Sequence, residues 1–127
     1  MKVRYFAGSV ALVTALAIGA ALSGCAPAPV PPTALGTVVT VTEDEYSIVL
    51  SPATYRAGTY TFEVHNDGGA THNLTITGPG LTDAATPNIA PDGVASLTVT
   101  LQAGEYDLFC ATADHKAAGM DATITVR

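Results

Sequence analysis

The chain has 127 residues, 48% of them hydrophobic and 13% charged, with five basic against eleven acidic side chains and a formal net charge of −6. That length suits one domain with a single core and excludes a large multidomain enzyme. The acidic balance argues against nucleic acid as a partner, because binding phosphates calls for a basic face.

At the N-terminus, Lys2 and Arg4 precede a stretch from Phe6 to Leu22 that carries no charge and is dominated by Ala, Val, Leu and Ile. This is the pattern of an export signal. It stops at Leu22-Ser23-Gly24-Cys25, which resembles the bacterial lipobox. Residues 1–24 then read as a lipoprotein signal peptide, with Cys25 as the acylated first residue of the mature chain. A membrane-spanning anchor is the competing reading, but the stretch is short for a span and no basic cluster follows it. Residues 25–34 are the lipidated Cys and a Pro-rich linker, with prolines at 27, 29, 31 and 32. Such a segment forms an extended spacer rather than a helix or a central strand. The expected location is extracytoplasmic, with the protein lipid-anchored to a bacterial cell membrane. Without Lys2 and Arg4 the mature chain has three cations against eleven acids, a formal charge of −8. This suits solubility at a cell surface, or a basic protein partner.

Residues 35–127 form the expected domain, and they read as strands. Thr37 to Thr42 and Tyr46 to Leu50 are β-branched or aromatic runs. From Thr59 to His65, Tyr60, Phe62 and Val64 alternate inward against Thr61, Glu63 and His65 outward. Leu74 and Ile76, then Leu97, Val99 and Leu101, then Ala122, Ile124 and Val126, each alternate with threonines. Thr82 to Ala90 shows no period and reads as a loop with at most a short helical turn. Turn signals such as Asn66-Asp67-Gly68-Gly69 and Pro91-Asp92-Gly93 separate the runs. About seven short, half-buried strands with such punctuation predict an all-β antiparallel sandwich. From Ala103 to Cys110 the period of two puts Tyr106, Leu108 and Cys110 on one face. Cys110 therefore ends a strand with its sulfur toward one end of the core, and Tyr106 is placed to act as a tyrosine corner.

Cysteine usage is the sharpest clue. With Cys25 assigned to the lipid, Cys110 is left alone in an exported protein, where thiols usually pair. A soft metal would give it a role. The following residues supply Cys110-x4-His115-x4-Met120 within one loop between strands. Thiolate, imidazole and thioether together favour copper, since soft sulfur suits Cu(I) and imidazole also suits Cu(II). Taken singly, a buried Cys, a core Met or a loop His is ordinary. Here the mature chain's remaining Cys and only Met flank a His in one loop, which is not. A fourth ligand must come from His65 or His72. His72 opens the Leu74–Ile76 run after the Gly-rich turn, whereas His65 lies on the polar face beside Glu63 and is left out.

The run His72-Asn73, then Tyr106-x-x-x-Cys110-x4-His115-x3-Gly119-Met120 and a closing Ile124-Thr125-Val126 strand, resembles the cupredoxin family of small blue-copper proteins. The resemblance covers about residue 35 to the end. It implies a Greek-key sandwich of seven to eight strands with one copper ion at one end, trigonal in His72, Cys110 and His115 with a long axial Met120. Many relatives carry Ser or Thr directly after the Cys, bonded to the Asn after the first His. This chain has Ala111 there and Thr112 one position later, so Asn73 and Thr112 are the candidates for bracing the loop behind the ligands.

With no position left open for a substrate, the expected function is single-electron transfer and not catalysis. The resemblance makes the His115 edge the electron port, through an apolar patch of Ala113, Ala117 and Ala118, with Phe109 as a second exit. Expected partners are redox proteins such as a cytochrome or a membrane oxidoreductase, met by a monomer. The alternative is a periplasmic or extracellular copper carrier or buffering protein, although such proteins offer several Met or His. A binuclear copper centre would need a second Cys in the loop. A copper nitrite reductase or multicopper oxidase would need a longer chain and more histidines.

Overall fold

Alternating apolar and hydroxyl residues make each run of this chain a half-buried strand, and the strands assemble into two facing sheets. The computed structural model describes Gly24 and residues 36–127. Apart from Gly24, the segments read as an export signal and a Pro-rich linker, with Cys25 read as the acylated residue, lie outside the described residues. In chain order the strands are β1 (Thr37–Asp44), β2 (Ser47–Ser51), β3 (Gly58–Asn66), β4 (Thr75–Gly78), β5 (Leu81–Ala85), β6 (Val94–Leu101), β7 (Gly104–Phe109) and β8 (Asp121–Val126). A single helical turn, α1 (His115–Ala118), precedes β8.

One sheet has the order β2-β1-β3-β6 and the other β5-β4-β7-β8. Non-consecutive neighbours in both orders show the chain crossing between sheets, as a Greek key requires. All pairings are antiparallel except β1 with β3, which run parallel from Thr37↔Tyr60 to Glu43↔Asn66. The period of two holds along β3, where Tyr60, Phe62 and Val64 are buried as read from the sequence. On the outer face of that strand, threonine hydroxyls meet across to β6, Thr61 with Thr98 at 2.9 Å and Thr59 with Thr100 at 3.2 Å.

The segment from Thr82 to Ala90, read as an aperiodic loop, is corrected by the structure. Leu81–Ala85 is the edge strand β5, paired with β4 through Thr75↔Ala85, Ile76↔Ala84 and Gly78↔Leu81, with a register shift between Ile76 and Gly78. Asp83, at φ 49°, breaks the regular pleat, so alternation is lost in the sequence while the backbone pairing survives. The helical turn is found instead inside the Cys-to-Met loop, as α1.

Tyr106 is a tyrosine corner, as its position suggested. It is wholly buried, its hydroxyl donates to the Pro79 carbonyl at 2.8 Å, and it accepts the Gln102 amide at 2.8 Å. This locks the β6–β7 crossing four residues upstream and so fixes where β7, and Cys110 at its end, leave the sheet.

The inward row of β1 is Val39, Val41 and Glu43, all wholly buried. Both Glu43 carboxyl oxygens lack a hydrogen-bond partner among the described residues. Burial pushes its pKa up from 4.5 to about 7, since desolvation penalises the charged form. Fully burying an apolar side chain gains about 1.5–3 kcal/mol. The fully buried Val39, Val41, Phe62 and Val64 alongside therefore outweigh one misfit carboxyl.

Candidate metal centre

Three elements bring the ligands together. His72 comes from the segment between β3 and β4, where its amide and carbonyl pair with Ile89 at 3.0 and 2.7 Å. Cys110 follows directly on β7. His115 begins α1, and the loop is closed by backbone bonds at its C-terminal end. The Cys110 amide donates to the Met120 carbonyl at 3.1 Å, and the Met120 amide donates to the His115 carbonyl at 3.0 Å. Cys110, His72 and Met120 are wholly buried, while His115 is part-buried.

The donor atoms converge. His72 Nδ1 lies 3.1 Å from His115 Nδ1, and Cys110 Sγ lies 3.6 Å from His115 Nδ1 and 4.0 Å from His72 Nδ1. A first-row ion binding nitrogen at about 2.0–2.1 Å and sulfur at about 2.3 Å, with angles of about 100–130°, would separate its donors by about 3.1–3.8 Å (N to N) and about 3.3–4.0 Å (N to S). The three observed distances fall within those ranges. Among the described residues these three form the one His, Cys, Asp or Glu group able to hold a metal ion. His65 stays out of it, bonded on the outer face to Glu63 at 2.9 Å.

The hydrogen bonds also settle which histidine nitrogen is free. Glu45, in the β1–β2 turn, accepts from the Gly69 amide at 3.1 Å and the Ala70 amide at 2.6 Å, and lies 3.1 Å from His72 Nε2. Those two amides hold the Glu45 carboxyl well down, at about 2, so it is an acceptor only. His72 Nε2 therefore donates a proton to the carboxylate, which leaves Nδ1, 3.1 Å from His115 Nδ1, as the nitrogen available to a metal. Two imidazole nitrogens facing each other at that distance need a proton or a cation between them.

Asn73 ties the His72 segment to the loop. Its Oδ1 accepts the Ala111 amide at 2.8 Å, and its own amide donates to Cys110 Sγ at 3.4 Å. The brace uses the Ala111 backbone N–H and needs no side-chain hydroxyl at that position. Thr112 acts differently from expectation. Its hydroxyl is buried with no partner among the described residues, and it supports the site through its carbonyl, which accepts the His115 amide at 3.1 Å.

Sequence reasoning missed two residues, both in the β1–β2 turn. Glu45 is one. The other is Tyr46, 47% exposed, whose ring meets that of His115 edge-on at 5.3 Å between centroids. Gly119, at φ 127°, admits this contact, since a Cβ there would stand 2.9 Å from the Tyr46 carbonyl oxygen. Ala113, Ala117 and Ala118 are exposed around His115. Phe109 is covered by the Lys116 ammonium, 3.8 Å from its ring centroid. Lys116 also pairs with Asp107 on β7 and, at 3.7 Å, with Asp121 on β8, which ties α1 to the sheet.

No family model matches the sequence, and no curated protein matches it. Solved structures do resemble the fold. The dithionite-reduced auracyanin of Roseiflexus castenholzii is 22% identical, with a TM-score of 0.58 over 73% of this chain and 98% of its own. Auracyanin A of Chloroflexus aurantiacus, described as a blue copper protein, is 17% identical, with a TM-score of 0.59 over 72% of this chain and 99% of its own. The copper-containing nitrite reductase of Thermus scotoductus is 14% identical at a TM-score of 0.53, and the match spans only 31% of that longer chain. The likeness establishes that the chain shares the two-sheet β-sandwich fold of these proteins.

Proposed function

We propose that this protein carries single electrons through one type 1 copper ion held by His72, Cys110, His115 and Met120. The observation that carries the reading is the convergence of two imidazole nitrogens and one thiol sulfur at 3.1, 3.6 and 4.0 Å, with the buried Met120 closing the same loop. Two imidazoles with two sulfur donors is a set that suits both copper oxidation states. Bound copper would supply a one-electron couple.

The chain's own residues do the rest. Asn73 and Glu45 fix Cys110 and His72 from behind. Burial of Cys110, His72 and Met120 keeps water from the ligands. The part-buried His115, ringed by Ala113, Ala117, Ala118 and Tyr46, offers the path to the surface. No ligand position is left open for a substrate, which favours transfer over catalysis.

The lipobox-like Leu22-Ser23-Gly24-Cys25 and the proline spacer support a location on the outer face of a bacterial membrane, anchored through Cys25. The formal charge of −8 on the mature chain supports a redox partner with a basic docking surface, such as a cytochrome or a membrane oxidoreductase, met by a monomer.

The test is the visible absorption and electron paramagnetic resonance of the purified protein with one equivalent of Cu(II), beside Cys110→Ala. An intense thiolate-to-copper band that bleaches reversibly with reductant and is lost in the substituted protein is the expected result. A colourless protein that still binds Cu(I) would overturn electron transfer in favour of a copper carrier.

A further inference from the structure

The metal-binding loop is not the only element that touches the ligands, because the β1–β2 turn reaches both histidines. We infer that Glu45 is a positioning residue of the metal centre, which holds His72 with Nδ1 free and lowers the reduction potential of the bound copper. The inference rests on the copper reading above and extends it to a residue far from the ligand loop in sequence.

Three donors converge on this one carboxylate: the Gly69 and Ala70 amides and His72 Nε2. The seat is built for it. Asn66, wholly buried, donates to the Ala70 and Ile89 carbonyls at 2.8 Å each and accepts the Gly68 amide at 3.0 Å, so the chain from 66 to 70 is held in one shape. At Gly68 a Cβ would stand 2.7 Å from Glu45 Oε1, so only glycine leaves room for the carboxylate. A carboxylate that merely capped the turn would need only the two amides. Here Oε1, which accepts from Ala70, is also the oxygen that faces His72.

The chemical consequence follows from charge. A carboxylate accepting Nε2–H fixes the tautomer and raises the basicity of Nδ1. A stronger nitrogen donor beside a negative charge stabilises the doubly charged ion more than the singly charged one. Removing the charge while keeping the shape should therefore weaken Cu(II) binding relative to Cu(I).

The experiment measures the reduction potential of the copper-loaded protein, Glu45→Gln and Gly68→Ala, with the thiolate-to-copper band recorded for each. The second variant keeps the carboxylate in the chain but blocks its seat. Loss of such a partner weakens metal binding about 10- to 100-fold. Falling on Cu(II) alone, that raises the potential by about 60–120 mV at about 59 mV per tenfold. A rise in both variants with the band retained is the expected result. A retained band with an unchanged potential in Glu45→Gln would overturn the inference and leave the copper site standing. No band in the unsubstituted protein would overturn the copper reading and this inference with it. Nitrogen NMR of the metal-free protein supplies an independent readout. His72 should be protonated at Nε2, and Glu45→Ala should mix the tautomers; the same single tautomer in both would refute the positioning role.

Discussion

Replacing Glu43 by Gln should make the protein more stable at alkaline pH and leave it nearly unchanged at acidic pH. The side chain is wholly buried, both its oxygens lack partners among the described residues, and its pKa stands at about 7 instead of 4.5. Below pH 4.5 the carboxyl is neutral in both folded and unfolded chains and contributes no pH dependence. Between 4.5 and about 7 the unfolded chain releases the proton while the folded one keeps it, so stability falls as pH rises. At about 1.4 kcal/mol per pH unit, the difference between 4.5 and about 7 amounts to a loss of about 3 kcal/mol, complete once the pH exceeds the folded value. Gln mimics the neutral acid in shape and polarity and cannot ionise. Denaturant unfolding of the metal-free protein and of Glu43→Gln at pH 4.5 and pH 8.5 measures the effect, and the comparison cancels every other titrating group. The variant should gain about 3 kcal/mol on the parent between the two conditions. Parallel stability curves would refute the reasoning, since they would mean that the carboxyl is hydrated or paired.

Tyr106→Phe should lower stability by about 2 kcal/mol, because it removes two hydrogen bonds, from the Gln102 amide and to the Pro79 carbonyl, that meet on the wholly buried Tyr106 side chain; a change below about 0.5 kcal/mol in denaturant unfolding would show that the corner is not under load. Asn73→Ala should weaken copper binding about 10- to 100-fold in competition with a chelator, since it frees the Ala111 amide. Unchanged affinity would show that the loop's own backbone bonds suffice.

The legible parts of the fold were those encoded locally. Tyr60, Phe62 and Val64 announce an inward face because a strand repeats every two residues. Cys110, His115 and Met120 announce a metal loop because they lie within eleven residues of one another. His72 could be chosen over His65 because a polar face already accounted for the latter. Leu81–Ala85 was hidden because an edge strand needs backbone pairing and not alternation, and Asp83 interrupts what little period there is. Glu43 fits the inward register of Val39 and Val41, but a charged residue in that row reads as the end of a strand. Glu45 and Tyr46 were beyond reach, since Asp44-Glu45-Tyr46-Ser47 is an unremarkable turn until topology lays it across the end of the sandwich.

That topology also explains how residues far apart in the sequence come to surround one point. β1 runs parallel to β3, so the end of β1 lies beside the end of β3 and the 66–70 segment that follows it. The Asp67 amide donates to the Glu43 carbonyl at 2.9 Å, which pins the two ends together. Had the pairing been antiparallel, the start of β1 would stand there instead, and Glu45 would lie at the opposite end of the sheet from His72. The parallel pair thus sets the carboxylate against Nε2 of His72. The β7–β8 hairpin sets Cys110 and Met120 opposite each other, and Asn73 ties the His72 segment to Ala111. The ligands are tied by hydrogen bonds to the frame, so a change in copper charge would meet donors with little freedom to move. Small rearrangement on electron exchange is what an electron carrier requires.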